Sequence, residues 1–317
     1  MRKKTTRVLV AAVAASLFLT ACSGASEESA SSEEVLTGSI EIDGSSTVGP
    51  LTDAIAEEYA DVQPDVTVNL SISGTGGGFE RFCETGDTQF SNASRPIKDE
   101  EAEKCKANGI EFTEIRVGTD ALTMVTSVDT PAEIKCLTKD EVIAVWGPDA
   151  KKNWKDVNPA FPDLEIQVFA PGADSGTYDF LNGDVLKIEQ PRQDYNASED
   201  DNIIAQGIQG TKGSWGFFGY AYYKNSGGKE RAIEYNAGEG CVGPSVETAQ
   251  NDTYKLTRPL YVYVRNDALA RPEVADFARF YLETVNSVID EVGYIEAPAD
   301  SIASAKSALE QAVTNAG

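Results

Sequence analysis

The chain has 317 residues, 51 of them acidic and 27 basic, for a formal net charge of −24, and it contains no histidine. Such an acid excess excludes the electrostatic grip on nucleic-acid backbones that a basic face supplies. The missing histidine excludes Ser-His-Asp chemistry and any histidine-ligated metal, so no metal and no cofactor is expected.

The first residues read as a leader. Arg2, Lys3, Lys4 and Arg7 precede an apolar run from Val8 to Leu19. That run is too short for a mature membrane span but suits the core of a signal peptide. It ends in Leu19-Thr20-Ala21-Cys22, which resembles a bacterial lipobox. Residues 1–21 are therefore expected to be removed and Cys22 lipidated; an ordinary secretory signal with an incidental cysteine is the plainer alternative. The leader holds four of the 27 basic residues and no acidic one, which leaves 23 basic against 51 acidic, a net −28. A surface so acidic is repelled by anionic head groups, so the lipid would have to supply the membrane contact. Residues 22–36 are small, polar and acidic, and read as a lipidated tether that cannot bury enough apolar surface to order itself.

Four cysteines follow: Cys83, Cys105, Cys136 and Cys241. An even count in an exported chain predicts two disulfides with three pairings open. Cys83–Cys105 is preferred because the two are near in sequence and flank one strand-and-helix unit, which leaves Cys136–Cys241. Closing a loop as short as the first contributes about 3 kcal/mol in the loop-entropy model.

Apolar alternation predicts strands at Ser39–Asp43 and Val66–Ile72, and Leu51, Ile55 and Tyr59 mark one face of a helix between them. Further strands are expected at Phe112–Val117, Leu122–Val128, Leu164–Phe169, Gly216–Tyr223 and Leu260–Val264. Helices are expected near Asp99–Asn108, Lys139–Trp146, Pro272–Thr284 and Ser301–Thr314. Elements mixed in this order predict an α/β protein.

Three loops share a theme. Gly44-Ser45-Ser46-Thr47-Val48-Gly49-Pro50, Ser73-Gly74-Thr75-Gly76-Gly77-Gly78-Phe79 and Asp174-Ser175-Gly176-Thr177-Tyr178 each follow a strand and open a helical stretch. Each offers hydroxyls, glycines that let the backbone approach a ligand, and unpaired N–H groups at a helix start. Such ends attract anions. One such loop alone is more often a cap or turn; three in one exported chain point to an anion. None carries a dinucleotide fingerprint or a Walker lysine. In a fourth segment, Phe90-Ser91-Asn92-Ala93-Ser94-Arg95-Pro96, the arginine reads either as a surface residue or as a bidentate clamp on an oxyanion.

At these residues the chain resembles the phosphate-binding proteins of bacterial phosphate-specific ABC transporters. The likeness runs through residues 43–50, 73–83, 91–97, 174–180, 198–208 and 213–223, and so over essentially the whole mature chain. It implies a type-2 periplasmic binding protein fold, two α/β lobes joined by a two-strand hinge that closes over the ligand. The crossings fall near Val117–Leu122 and Arg258–Val262, which gives lobe I residues 37–118 and 262–317 and lobe II residues 119–261. Carried over by motif, Ser46, Thr47, Thr75, Ser94, Ser175, Gly176 and Thr177 would bind phosphate. Better-known members place an aspartate where Ser94 or Arg95 aligns, and an arginine where this chain reads Phe169-Ala170-Pro171-Gly172. Arg95 is the expected replacement for the charge. Asp174, or second to it Asp201, is the expected acceptor for the phosphate proton.

The resemblance also implies a monomeric, extracytoplasmic binding protein that serves the permease subunits of an importer and catalyses nothing. The alternatives are a binding protein for sulfate or molybdate, a histidine-independent hydrolase, and a structural surface lipoprotein.

Overall fold

A computed structural model describes residues 35–317. The expected leader, the lipidation site Cys22 and the tether up to residue 34 lie outside the described residues. Among those that are described, no helix is long and apolar enough to cross a membrane.

The chain opens with β1 (Gly38–Gly44), α1 (Gly49–Val62), β2 (Val66–Leu70), α2 (Gly74–Glu80), β3 (Phe90–Ala93) and α3 (Asp99–Ala107). A long strand, β4 (Phe112–Ser127), leads to β5 (Cys136–Thr138), α4 (Lys139–Trp146), α5 (Trp154–Val157), β6 (Gln167–Pro171) and α6 (Gly176–Asp179). Next come β7 (Asn196–Ser198), α7 (Asp201–Gln209), β8 (Ser214–Gly219), α8 (Tyr220–Lys224), β9 (Glu230–Asn236), β10 (Cys241–Val242) and α9 (Val246–Gln250). The chain ends with β11 (Thr257–Arg265), α10 (Pro272–Val292), β12 (Ile295–Glu296) and α11 (Ala299–Ala316).

Apolar periodicity explains most of these elements. Ile40 and Ile42 alternate inward along β1, while Leu51, Ile55 and Tyr59 form the fully buried stripe of α1. Over 21 residues α10 repeats the pattern, with Val274, Phe277, Tyr281, Val285 and Ile289 all buried, and it stops at Gly293 with φ 109°.

The buried apolar residues gather into two principal cores. One draws on β1 to β3, α1, the start of β4, β11 and the two C-terminal helices. The other draws on residues 121 to 256, with Trp146, Trp154 and Trp215 at its centre. The strand order is β2-β1-β3-β11-β4-β8-β6-β7, with β1 parallel to β2 and β3, and β6 parallel to β7 and β8.

The cores are joined where β4 leaves one sheet and enters the next. Its residues Phe112 to Ala121 pair with β11, and Leu122 to Val125 pair with β8. The sequence predicts two strands here, separated by Gly118-Thr119-Asp120-Ala121; the structure has one, because β11 supplies ladder partners through the gap. A second expected strand, Gly216–Tyr223, stops at Gly219. The Tyr220 N–H donates to Asp120 Oδ1 at 2.9 Å instead of joining a ladder, and the aromatic run continues as α8.

Both disulfides are present in the preferred pairing. Cys83–Cys105 fastens α3 to the turn after α2, and Cys136–Cys241 ties β5 to β10, which flank β9.

Candidate functional site

The strands β1, β3 and β6 deliver their carboxyl ends to one place between the two cores, where open α/β sheets hold ligands. Past β1 come Ser46 and Thr47, both buried, and then α1. The helix α2 begins at Gly74, whose φ of 79° suits glycine, and sets Thr75 in its first turn, fully buried. Ser94 directly follows β3. At the start of α6 the Ser175 hydroxyl accepts the Thr177 N–H at 3.1 Å, which fixes the turn that presents Gly176 and Thr177.

These pieces meet. Thr47 Oγ1, from the loop before α1, and Thr177 Oγ1, from α6, are 3.2 Å apart, and Thr75 Oγ1 lies 3.3 Å from Ser94 Oγ. Gly176 sits against the second pair so closely that a Cβ there would come within 2.7 Å of Thr75 Oγ1.

The guanidinium at this hydroxyl cluster belongs to Arg258 of β11, which is 2 % exposed. Its Nη2 donates to Thr177 Oγ1 at 2.7 Å and Thr47 Oγ1 at 2.9 Å, and its Nη1 donates to the Ser94 carbonyl at 3.4 Å. Fully buried Asp120 anchors the other side, accepting from Nε at 3.2 Å and Nη2 at 3.1 Å. Arg258 and Asp120 are cross-strand neighbours in the β4–β11 ladder, so the hinge itself carries the pair.

Asp201, the first residue of α7, is fully buried, and neither carboxylate oxygen makes a hydrogen bond of standard geometry. Burial pushes its pKa up to about 7, with Asp120 adding to the rise, against the pull of Arg258, the Ser46 hydroxyl and the Gly219 amide. A carboxylate with two free lone-pair sets beside a guanidinium and a set of hydroxyls can accept a proton from a ligand that the others hold.

Of the residues singled out from sequence, Thr47, Thr75, Ser94, Gly176 and Thr177 come together. Ser175 caps the α6 turn, and Ser46 lies beside Asp201. Two expectations are corrected. Arg95 is not at the cluster: its guanidinium is engaged with Glu101, Asp179 and the Pro96 carbonyl. Asp174 is exposed, and it reaches α2 through its main-chain carbonyl, which accepts from the Gly76 N–H at 2.7 Å. A solvated carboxylate there cannot be the desolvated acceptor, and the second-choice residue Asp201 has the burial that Asp174 lacks. Sequence reasoning missed Arg258 and Asp120 as site residues. Asp120 falls in the gap between two expected strands and Arg258 two residues ahead of another, so neither carries a local signal.

A family model described as a PBP superfamily domain matches residues 27–284. The chain is 40% identical over 310 residues to Protein SphX of Synechococcus elongatus, covering 96% of this chain and 88% of that one. It is 36% identical over 304 residues to the phosphate-binding protein PstS of Staphylococcus saprophyticus, covering 95% and 93%. Among solved structures, one from Planctomyces limnophilus titled "a possible phosphate binding protein" has a TM-score of 0.60 and 38% identity, covering 89% of this chain and 99% of that one. The chain belongs to the PBP superfamily and, within it, to the family of the phosphate-binding protein PstS.

Proposed function

We propose that this chain binds inorganic phosphate between its lobes, outside the cytoplasm, and delivers it to the permease of an ABC importer. One observation carries the reading: a buried guanidinium shared by hydroxyls of both lobes, next to a buried carboxylate that makes no hydrogen bond of standard geometry. The hydroxyls and the guanidinium now satisfy one another, and an oxyanion's oxygens would take over those bonds. Hydrogen phosphate also has a proton to give, which suits Asp201. Sulfate has none and would meet that carboxylate lone pair to lone pair.

The ligand set under this reading is Ser46, Thr47, Thr75, Ser94, Gly176, Thr177 and Arg258, with Ser175 holding the turn and Asp201 accepting the proton. The lobes would be residues 37–118 with 262–317, and 119–261, hinged at β4 and β11. Capture needs donors from both lobes, which is what the hydroxyl cluster offers. Lipid on Cys22 would hold the chain near its permease; labelled palmitate should enter the wild-type chain and not Cys22→Ser.

Calorimetry on ligand-free protein tests the binding. Phosphate should titrate as one tight site, and sulfate and molybdate should bind at least about a thousandfold more weakly, the scale on which buried polar sites reject a ligand lacking the matching group. Equal affinity for sulfate would sink the phosphate reading.

A further inference from the structure

Arg95 is built into lobe I with little freedom. It is 8 % exposed, and its two terminal nitrogens donate to both Glu101 oxygens, at 2.8 and 2.7 Å. Nη1 also donates to the Pro96 carbonyl at 3.0 Å, and the guanidinium lies over the Phe79 ring, 5.7 Å from its centre. Glu101 is itself fixed, since its Oε2 accepts the Lys98 N–H at 2.8 Å at the start of α3.

This leaves Nε–H, which crosses to lobe II and donates to Asp179 Oδ2 at 2.7 Å; Lys98 Nζ reaches the same oxygen at 2.9 Å. Asp179 is the last residue of α6, the four-residue turn whose other end brings Gly176 and Thr177 to the hydroxyl cluster. Movement of that turn towards the cluster and formation of the Arg95–Asp179 pair are therefore one motion.

Charge explains why such a pair is needed. On the lobe II side of this contact stand Asp174, Asp179 and Glu199, and on the lobe I side stand Glu80, Glu84, Glu100 and Glu101. Lys98 and Lys104 are the cations beside Arg95, and Lys104 is taken up by Glu84. Bringing these faces together without a cation opposes like charges in a partly desolvated space.

We propose that Arg95, preset by Glu101, is an interlobe latch that closes on Asp179 and sets how fast a bound oxyanion leaves, without touching it. The proposal rests on the reading of the cleft as a phosphate site, but part of its test needs no ligand. Trp146 packs against Tyr178, next to Thr177, so tryptophan fluorescence follows the turn.

In stopped-flow experiments with inorganic phosphate on the full chain, Arg95→Gln and Asp179→Asn should each raise the dissociation rate at least about tenfold. Association should change less than threefold, and the double variant should release no faster than the faster single. Asp179→Asn alters a half-buried side chain only, so it keeps the test open if Arg95→Gln folds poorly. If Asp179→Asn releases phosphate within twofold of the wild-type rate, the latch is refuted, and a fast Arg95→Gln would then mean that Arg95 serves the anion directly. Should the wild type give no phosphate signal at all, the site reading fails and the latch is read by X-ray scattering on ligand-free protein. Both variants should then have a larger radius of gyration than wild type, and equal radii overturn the latch.

Discussion

At the scale of single residues, the site turns on Arg258 and Asp201. Arg258 pairs with Asp120 in a space that neither shares with water. Removing one member of such a pair leaves the other charge buried and alone, which costs about 3–5 kcal/mol. Arg258→Gln should therefore lower the urea midpoint and, where the protein still folds, weaken phosphate by about two orders of magnitude or more in calorimetry; a loss under tenfold would remove Arg258 from the ligand set. Asp201→Asn makes a different prediction. The amide can donate where the carboxylate could only accept, so the phosphate-to-sulfate affinity ratio should fall at least about a hundredfold, with sulfate gaining. An unchanged ratio would mean that Asp201 does not read the ligand proton. The sequence made the hydroxyls legible because a loop of serine, threonine and glycine is a local signal. Arg258 was not legible, since it lies 211 residues from Thr47, and only the register of β11 on β4 turns it into the cleft. Asp200 and Asp201 look equivalent in sequence, yet Asp200 caps α7 by accepting the Asn202 N–H at 2.9 Å, and Asp201 points inward.

At the scale of elements, glycine does the positioning. The run Gly74 to Gly78 has poor helix propensity, yet it forms the body of α2 because tertiary contact overrides propensity there. A Cβ on Gly78 would come within 2.5 Å of Gly44 Cα, so only glycine lets α2 lie against the end of β1. The same closeness recurs across the lobes at Gly176. In Gly176→Ala the added methyl would strike Ser94 and Thr75, a contact that an opened cleft would relieve. The variant should keep the wild-type far-ultraviolet dichroism and thermal midpoint while its phosphate affinity drops at least about tenfold, the cost of about 1–3 kcal/mol for a methyl group without space. Wild-type affinity would show that the lobes do not close this tightly on the ligand. The elements that periodicity did predict are those with one buried face, such as α1, α4 and α10. What it divided or extended wrongly, β4 and the start of α8, depends on strands far away in the chain that supply or withhold ladder partners.

At the scale of the whole molecule, the acid excess and the buried carboxyls make stability depend on pH in a direction that can be worked out. Folding raises the Asp201 pKa from 3.8 to about 7. Between these values the folded chain holds a proton that the unfolded chain has released, so this group stabilises the fold most below about pH 4. That stabilisation is lost as pH rises towards 7. At 1.36 kcal/mol per pH unit the loss is at most about 4 kcal/mol. Glu199, also raised to about 7 by burial and by Asp174, adds a smaller slope of the same sign, because it is less shielded from water. Asp194, Asp267 and Glu310 have lowered values through their arginine partners and act the opposite way, but they lie near the surface, where solvent weakens the effect. The difference between wild type and Asp201→Asn isolates the one group. In urea melts of ligand-free protein, wild type should lose on the order of 2–4 kcal/mol relative to Asp201→Asn between pH 4.5 and 7.5. Saturating phosphate should remove much of that difference, because a bound hydrogen phosphate supplies the proton that solvent no longer does. Parallel profiles for the two proteins would show that Asp201 ionises as an ordinary carboxylate, and burial would then not set its proton affinity.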